Sequence, residues 1–143
     1  MDKYKRYAPF IVRIGISLLL LWFGLNQLFD TANWLVWLPQ WAYNLPFPAE
    51  TLIRINGTFE VVVGSLLLLG LFTRWSALLI ALHIAGIALN LGYNDIAVRD
   101  LGLAFAALSI FFNGADFKCL DRKVREKFRR SALGRLLYIF DKE

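Results

Sequence analysis

The chain has 143 residues, of which 58% are hydrophobic and 19% charged, with a formal net charge of +5. Nine of its 16 Lys and Arg lie at or after Lys118 and three lie in the first six residues, so the middle is almost bare of positive charge. A soluble domain is about 45–50% apolar and spreads charge over its whole surface. That class is excluded, and a small polytopic membrane protein with polar ends fits.

A bilayer crossing needs roughly 20 apolar residues. Four segments meet this in chain order, at about 10–29, 52–72, 75–93 and 96–112. They predict an all-α, four-helix transmembrane bundle over 1–121, followed by a basic amphipathic tail over 122–143. The first span is flanked by Lys3, Lys5 and Arg6. It carries Arg13, Ser17, Gly24 and Gln27 at offsets that share one helical face. The link from Asp30 to Thr51 holds Trp34, Trp37, Trp41 and Tyr43 together with Pro39, Pro46 and Pro48. Trp and Tyr favour the headgroup layer, so this link reads as a flat interfacial cap on the outer side.

The second span places Asn56 and Glu60 one turn apart, and Gly57, Glu60 and Gly64 along one stripe. Only Thr73-Arg74 separates it from the third span, which forces an antiparallel hairpin. The third span aligns Ser76, His83, Gly86 and Asn90. The fourth aligns Arg99, Gly102, Ala106, Ser109 and Asn113. Each span therefore has one small or polar stripe, the pattern of a bundle packed through small residues. The tail alternates Val124, Phe128, Leu133, Leu136, Leu137 and Phe140 with six basic residues, which suits an anionic membrane surface.

Lys and Arg near span ends set orientation. They put both termini and the Arg74 hairpin on the cytoplasmic side of a plasma membrane. At about 1.5 Å per residue, Glu60 lies roughly 12 Å below the outer boundary and His83 roughly 13–14 Å above the inner one, so the two meet near mid-bilayer. Asn56, Asn90, Arg54, Gln27, Arg99, Asp100 and Asp95 fall in the outer half. The expectation is a polar pocket open outward with Glu60 at its floor. Two readings of Glu60 stand: a proton-handling or head-group-holding partner of His83, or a structural ion pair with Arg54, Arg99 or Arg13.

The single Cys, His and Met preclude an intrachain disulfide, a CxxC dithiol, two-His haem ligation and the usual zinc sets. No metal site and no intrinsic cofactor are expected. Basic residues that flank apolar segments are a membrane signature and not a nucleic-acid footprint.

The run from Ala49-Glu50-Thr51 through FEVVVGSLLLLGLFTRWSALL resembles DoxX-like membrane proteins. The matching positions are Glu60, Gly64, Gly70, Thr73 and Arg74. The first span adds Arg13, Gly15 and the stretch Gly24-Leu25-Asn26-Gln27-Leu28, where many members carry lysine at the Gln27 position. Asn94-Asp95 through VRDLGLAFAAL and the exit NGADFKCLD are also similar, so the resemblance spans about 10–121. It implies a four-span bundle. Named members include the small subunit of a thiosulfate:quinone oxidoreductase and parts of membrane redox assemblies. By that analogy the chain is a subunit of a quinone-linked oxidoreductase system, with a quinone as candidate cofactor and a redox subunit or a second copy as candidate partner. The alternative is a non-catalytic scaffold or a small-molecule binding or carrier module.

Overall fold

The structure is a computed structural model that describes residues 2–128, with side-chain surroundings for 4–124. Among the described residues every regular element is helical. Four long helices, α1 (Tyr7–Phe29), α2 (Ala49–Leu69), α3 (Thr73–Leu91) and α4 (Asp95–Asn113), are followed by a short α5 (Asp121–Phe128). Residues 129–143, which hold most of the expected amphipathic tail, lie outside the described residues.

Local signals set the helix boundaries and shift them from the expected ones. α2 starts directly after Pro48, whose fixed φ suits a helix entrance, and stops at Gly70, which takes φ +67. It therefore runs three residues earlier than the 52–72 expected. α3 ends at Gly92 (φ +74) and α4 at Gly114 (φ +76), both conformations that glycine adopts without a Cβ clash. α4 begins at Asn94, whose side-chain oxygen accepts from Ala97 N at 2.9 Å and caps the first turn.

The bundle is two antiparallel pairs. α1 packs extensively on α2, and α3 on α4, while lighter contacts join α1 to α4 and α2 to α3. In the first pair glycines bring the backbones together. A Cβ on Gly24 would lie 2.7 Å from Gly57 O, and one on Gly57 would lie 2.8 Å from Gly24 O. In the second pair alanines do the same, with Ala77, Ala81, Ala104 and Ala107 buried in one cluster with Ile80, Ile84 and Ile110. Small residues at helix crossings let backbones approach closely, as expected where lipid removes the hydrophobic drive for association.

Among the described residues three helices, α1, α2 and α3, are long and apolar enough to cross a membrane. Their outward faces carry exposed Leu18, Trp22, Ile55, Val62, Leu79 and Leu82, the surface a bilayer solvates. α4 has the length of α3 but carries Asp95, Arg99 and Asp100 in its first two turns, and it is not among these three.

The stripes of α1 and α2 are buried as expected: Arg13, Ser17, Gly24 and Gln27 on α1, and Gly57, Glu60 and Gly64 on α2. The stripe of α4 is not. Arg99, Gly102, Ser109 and Asn113 are exposed, and the buried face is Ala97, Ala104, Ala107 and Ile110. α4 docks on the alanine-rich side of α3, where methyl side chains pack closely and leave its other small residues outside.

Candidate functional site

The two helix pairs enclose a cavity of about 580 Å³ in the half of the bundle away from the Arg74 hairpin. Its floor is Glu60, 4% exposed. The carboxylate accepts from Gln27 Nε2 at 2.8 Å and from Asn56 Nδ2 at 3.0 Å, and His83 Nε2 lies 3.2 Å from Oε1. Asn56 Nδ2 also donates to Gln27 Oε1 at 2.7 Å, which closes a ring of Gln27, Asn56 and Glu60 across α1 and α2. The ring sits beside the Gly24–Gly57 crossing, so close backbone approach brings the Gln27 and Glu60 side chains within reach of each other. A buried carboxylate needs such donors, since leaving it unpaired in a low-dielectric interior is costly.

His83 reaches Glu60 from α3, and its ring lies tilted against Phe59 of α2 with the centroids 4.6 Å apart. Above this floor the walls are apolar, formed by Leu20, Phe23, Ile53, Ile84, Ile87 and Leu103. The roof is the strap between α1 and α2, folded as short helical turns at Thr31–Trp34, Leu35–Trp37 and Gln40–Asn44. Its Trp34, Trp37 and Trp41 line the cavity. Trp41 Nε1 donates to Asn90 Oδ1 of α3 at 3.2 Å, and Tyr43 Oη donates to Leu35 O at 2.8 Å. At the mouth Arg99 donates to Asp100 Oδ1 through Nε (3.0 Å) and Nη2 (2.9 Å).

Of the eight residues expected at a pocket, the structure brings seven to this cavity: Gln27, Asn56, Glu60, His83, Asn90, Arg99 and Asp100. Arg54 is not among them. It is exposed on the face of α2 turned away from the cavity, because it lies two residues from Asn56 and about 200° round the helix. None of the three arginines weighed as a structural partner of Glu60 pairs with it. Arg99 goes to Asp100 and Arg54 faces outward. Arg13 is bound at the opposite end.

That opposite end is tied by contacts that the sequence pattern does not reveal. Arg13, 1% exposed, donates from Nε to Asp116 Oδ2 at 2.6 Å and from Nη1 to the carbonyls of Leu67 (2.8 Å) and Leu68 (2.6 Å) at the C-terminus of α2. Asp121 accepts from Phe72 N and Thr73 N, both at 2.7 Å, and so caps α3 from 48 residues away. It fixes the tight turn in which Phe72 takes φ +50, a value rare outside glycine. Arg74 Nη1 in turn donates to Phe111 O at 2.7 Å, at the end of α4. Burial opposes the charged form of Asp116, yet the bonds from Arg13 and Lys118 N outweigh it and hold the carboxyl below the usual range. Cys119, packed against Gly70, has its thiol pushed up by burial and is an inert packing group. The signal for these contacts was weak, since an aspartate after the last long helix reads as an ordinary solvated charge.

The sequence model of the DoxX family matches residues 8–93, which takes in the whole polar ring, His83 and Asn90 and ends before α4. No curated protein and no solved structure matches the chain.

Proposed function

Because the chain belongs to the DoxX family of membrane proteins, we propose that it is a four-span subunit of a quinone-linked oxidoreductase system of the plasma membrane, and that its cavity receives a quinone head group. The observation that carries this reading is an apolar, tryptophan-roofed cavity of about 580 Å³ whose floor holds a buried carboxylate and an imidazole 3.2 Å apart. Ligand pockets are of this size, with mostly apolar walls and a few convergent polar groups. A quinone matches both parts: a flat ring for the aromatic walls and oxygens that accept or donate hydrogen bonds at the floor.

A bound quinone would supply two-electron, two-proton redox chemistry. The residues of this chain would handle the proton side. Gln27 and Asn56 hold the Glu60 carboxyl in place, the Glu60–His83 pair passes a proton to or from a ligand oxygen, and the aromatic strap keeps water out. The electron carrier belongs to a partner redox subunit, with a second copy of this chain as the other candidate partner. In this reading α4 is the fourth crossing and the strap lies in the outer interface. Both termini are cytoplasmic, since Arg6, Arg74 and Lys118 all gather at one end: Arg6 lies over the Phe117 ring and Arg74 binds Phe111 O.

A second reading has its own support. Both oxygens of Glu60 are already engaged within the protein, as in a non-catalytic binding or carrier module whose polar ring ties α1 to α2. Mass spectrometry of small molecules retained after gentle detergent purification separates the two. A quinone at near-stoichiometric level, lowered in Glu60→Gln, supports the redox subunit. A different retained molecule, or none beyond bulk lipid, removes it.

A further inference from the structure

The cavity is not sealed by lipid-facing side chains along its full height. Its exposed lining residues at the outer end are Trp37, Trp41, Asn90 and Arg99. One more lies far deeper: Leu82, adjacent to His83 at the floor, lines the cavity and is also 63% exposed. On α3, at about 100° per residue, Asn90, Gly86 and Leu82 step successively away from His83 toward the lipid-facing side. All four line the cavity. The cavity therefore runs from the interior round the flank of α3, on the side where α3 meets α2.

That seam is one of two lightly packed ones. α2 and α3 share as few contacts as α1 and α4 do, whereas α3 is packed closely on α4. Gly86 stands in its centre, and a Cβ there would meet nothing within 4 Å. The opening has a frame. Phe59, tilted against His83, lies at its foot. Trp41 hydrogen-bonded to Asn90, whose amide in turn donates to Gly86 O at 2.8 Å, forms the lintel. Leu52 and Asn56 form the opposite jamb on α2. Gly86 lies 13 residues into α3, about 20 Å from its start at the basic end. If α3 enters a hydrocarbon core about 30 Å thick near its start, that depth lies among acyl chains.

We propose that this opening between α2 and α3 is a lateral portal, through which a ligand dissolved in the bilayer enters and leaves its hydrophobic tail in the membrane. This rests on the quinone reading above and narrows it to tailed, membrane-resident quinones. The head reaches Glu60 and His83 under the Trp41–Asn90 lintel, and the tail passes over Gly86 and Leu82 into lipid.

The test fills the window without touching the floor. Gly86→Phe places a ring in open space, and Gly86→Ala is the control that leaves the window open while keeping the helix. The protein is reconstituted in lipid nanodiscs, and binding is read by tryptophan quenching with two probes, a prenyl-tailed benzoquinone and the same ring without its tail. The portal predicts that Gly86→Phe weakens or slows binding of the tailed probe by about tenfold or more, that the tail-less ring changes by less than about twofold, and that Gly86→Ala binds both as wild type. Equal loss of both probes in Gly86→Phe, or loss of neither, overturns the portal while leaving the quinone site standing. Failure of wild type to bind either probe overturns the quinone reading itself and the portal with it.

Discussion

Single side chains at the two ends of the bundle do opposite things with buried charge. At the aromatic end Glu60 is held by the side-chain amides of Gln27 and Asn56 and by the His83 imidazole. At the basic end Asp116 faces the permanent cation of Arg13, both side chains being 2% exposed, and is fixed as a carboxylate. A carboxyl whose folded pKa lies below its unfolded value contributes stability that is complete above the unfolded value and is lost as pH falls through the folded one. Asp116 has that sign. Thermal stability in detergent is therefore expected to be level near neutrality and to fall in acid, below the ordinary carboxylate range. Asp116→Asn leaves Arg13 buried without its counter-charge, a change that costs about 3–5 kcal/mol, and it should flatten this part of the acid limb. A variant as stable as wild type at neutral pH would show that the pair contributes nothing. The Arg13–Asp116 contact was illegible in the sequence, since its partners lie 103 residues apart and nothing in a helical stripe says which loop returns to it.

At the scale of helices, packing is decided by where backbones touch. Gly24 and Gly57 form the crossing of α1 and α2 that brings Gln27 to Glu60. Gly57→Ala puts a methyl 2.8 Å from a carbonyl oxygen, so the helices must separate. A loss of about 1–3 kcal/mol is expected, together with a wider Gln27–Glu60 gap. Gly15→Ala meets nothing within 4 Å and should be neutral or stabilising by up to about 1 kcal/mol. Melting curves of the two variants side by side check this, and equal effects would mean the crossing is not tight. The α1 and α2 stripes were readable because polar or glycine residues that recur along one face have few reasons to point at lipid. The α4 stripe misled for a physical reason. Alanine is small enough for a helix contact and apolar enough for lipid, so Gly102, Ala106 and Ser109 competed with Ala97, Ala104 and Ala107, and spacing alone did not choose between them. Arg54 misled likewise, because depth arithmetic fixes a level along the helix and not an azimuth.

For the whole molecule, the meeting of Glu60 and His83 was legible because two antiparallel helices of known rise bring residues to a common level, and the structure sets them 3.2 Å apart. The cavity above them was legible only in outline. Its volume depends on the strap from Asp30 to Pro48 folding back as a roof, and on two helix pairs that pack closely within themselves and loosely against each other. That asymmetry divides the molecule into a tied basic end and a hollow aromatic end. On the proposed function, the hollow end binds a quinone head at Glu60 and His83. Photolabelling with an azido-quinone in native membranes, followed by mapping of the labelled residues, tests it most directly. Label is expected on cavity-lining residues of 52–60 and 82–91, abolished by excess unlabelled quinone. Label confined to lipid-facing positions such as Leu18 and Phe105, or insensitive to competitor, would contradict it.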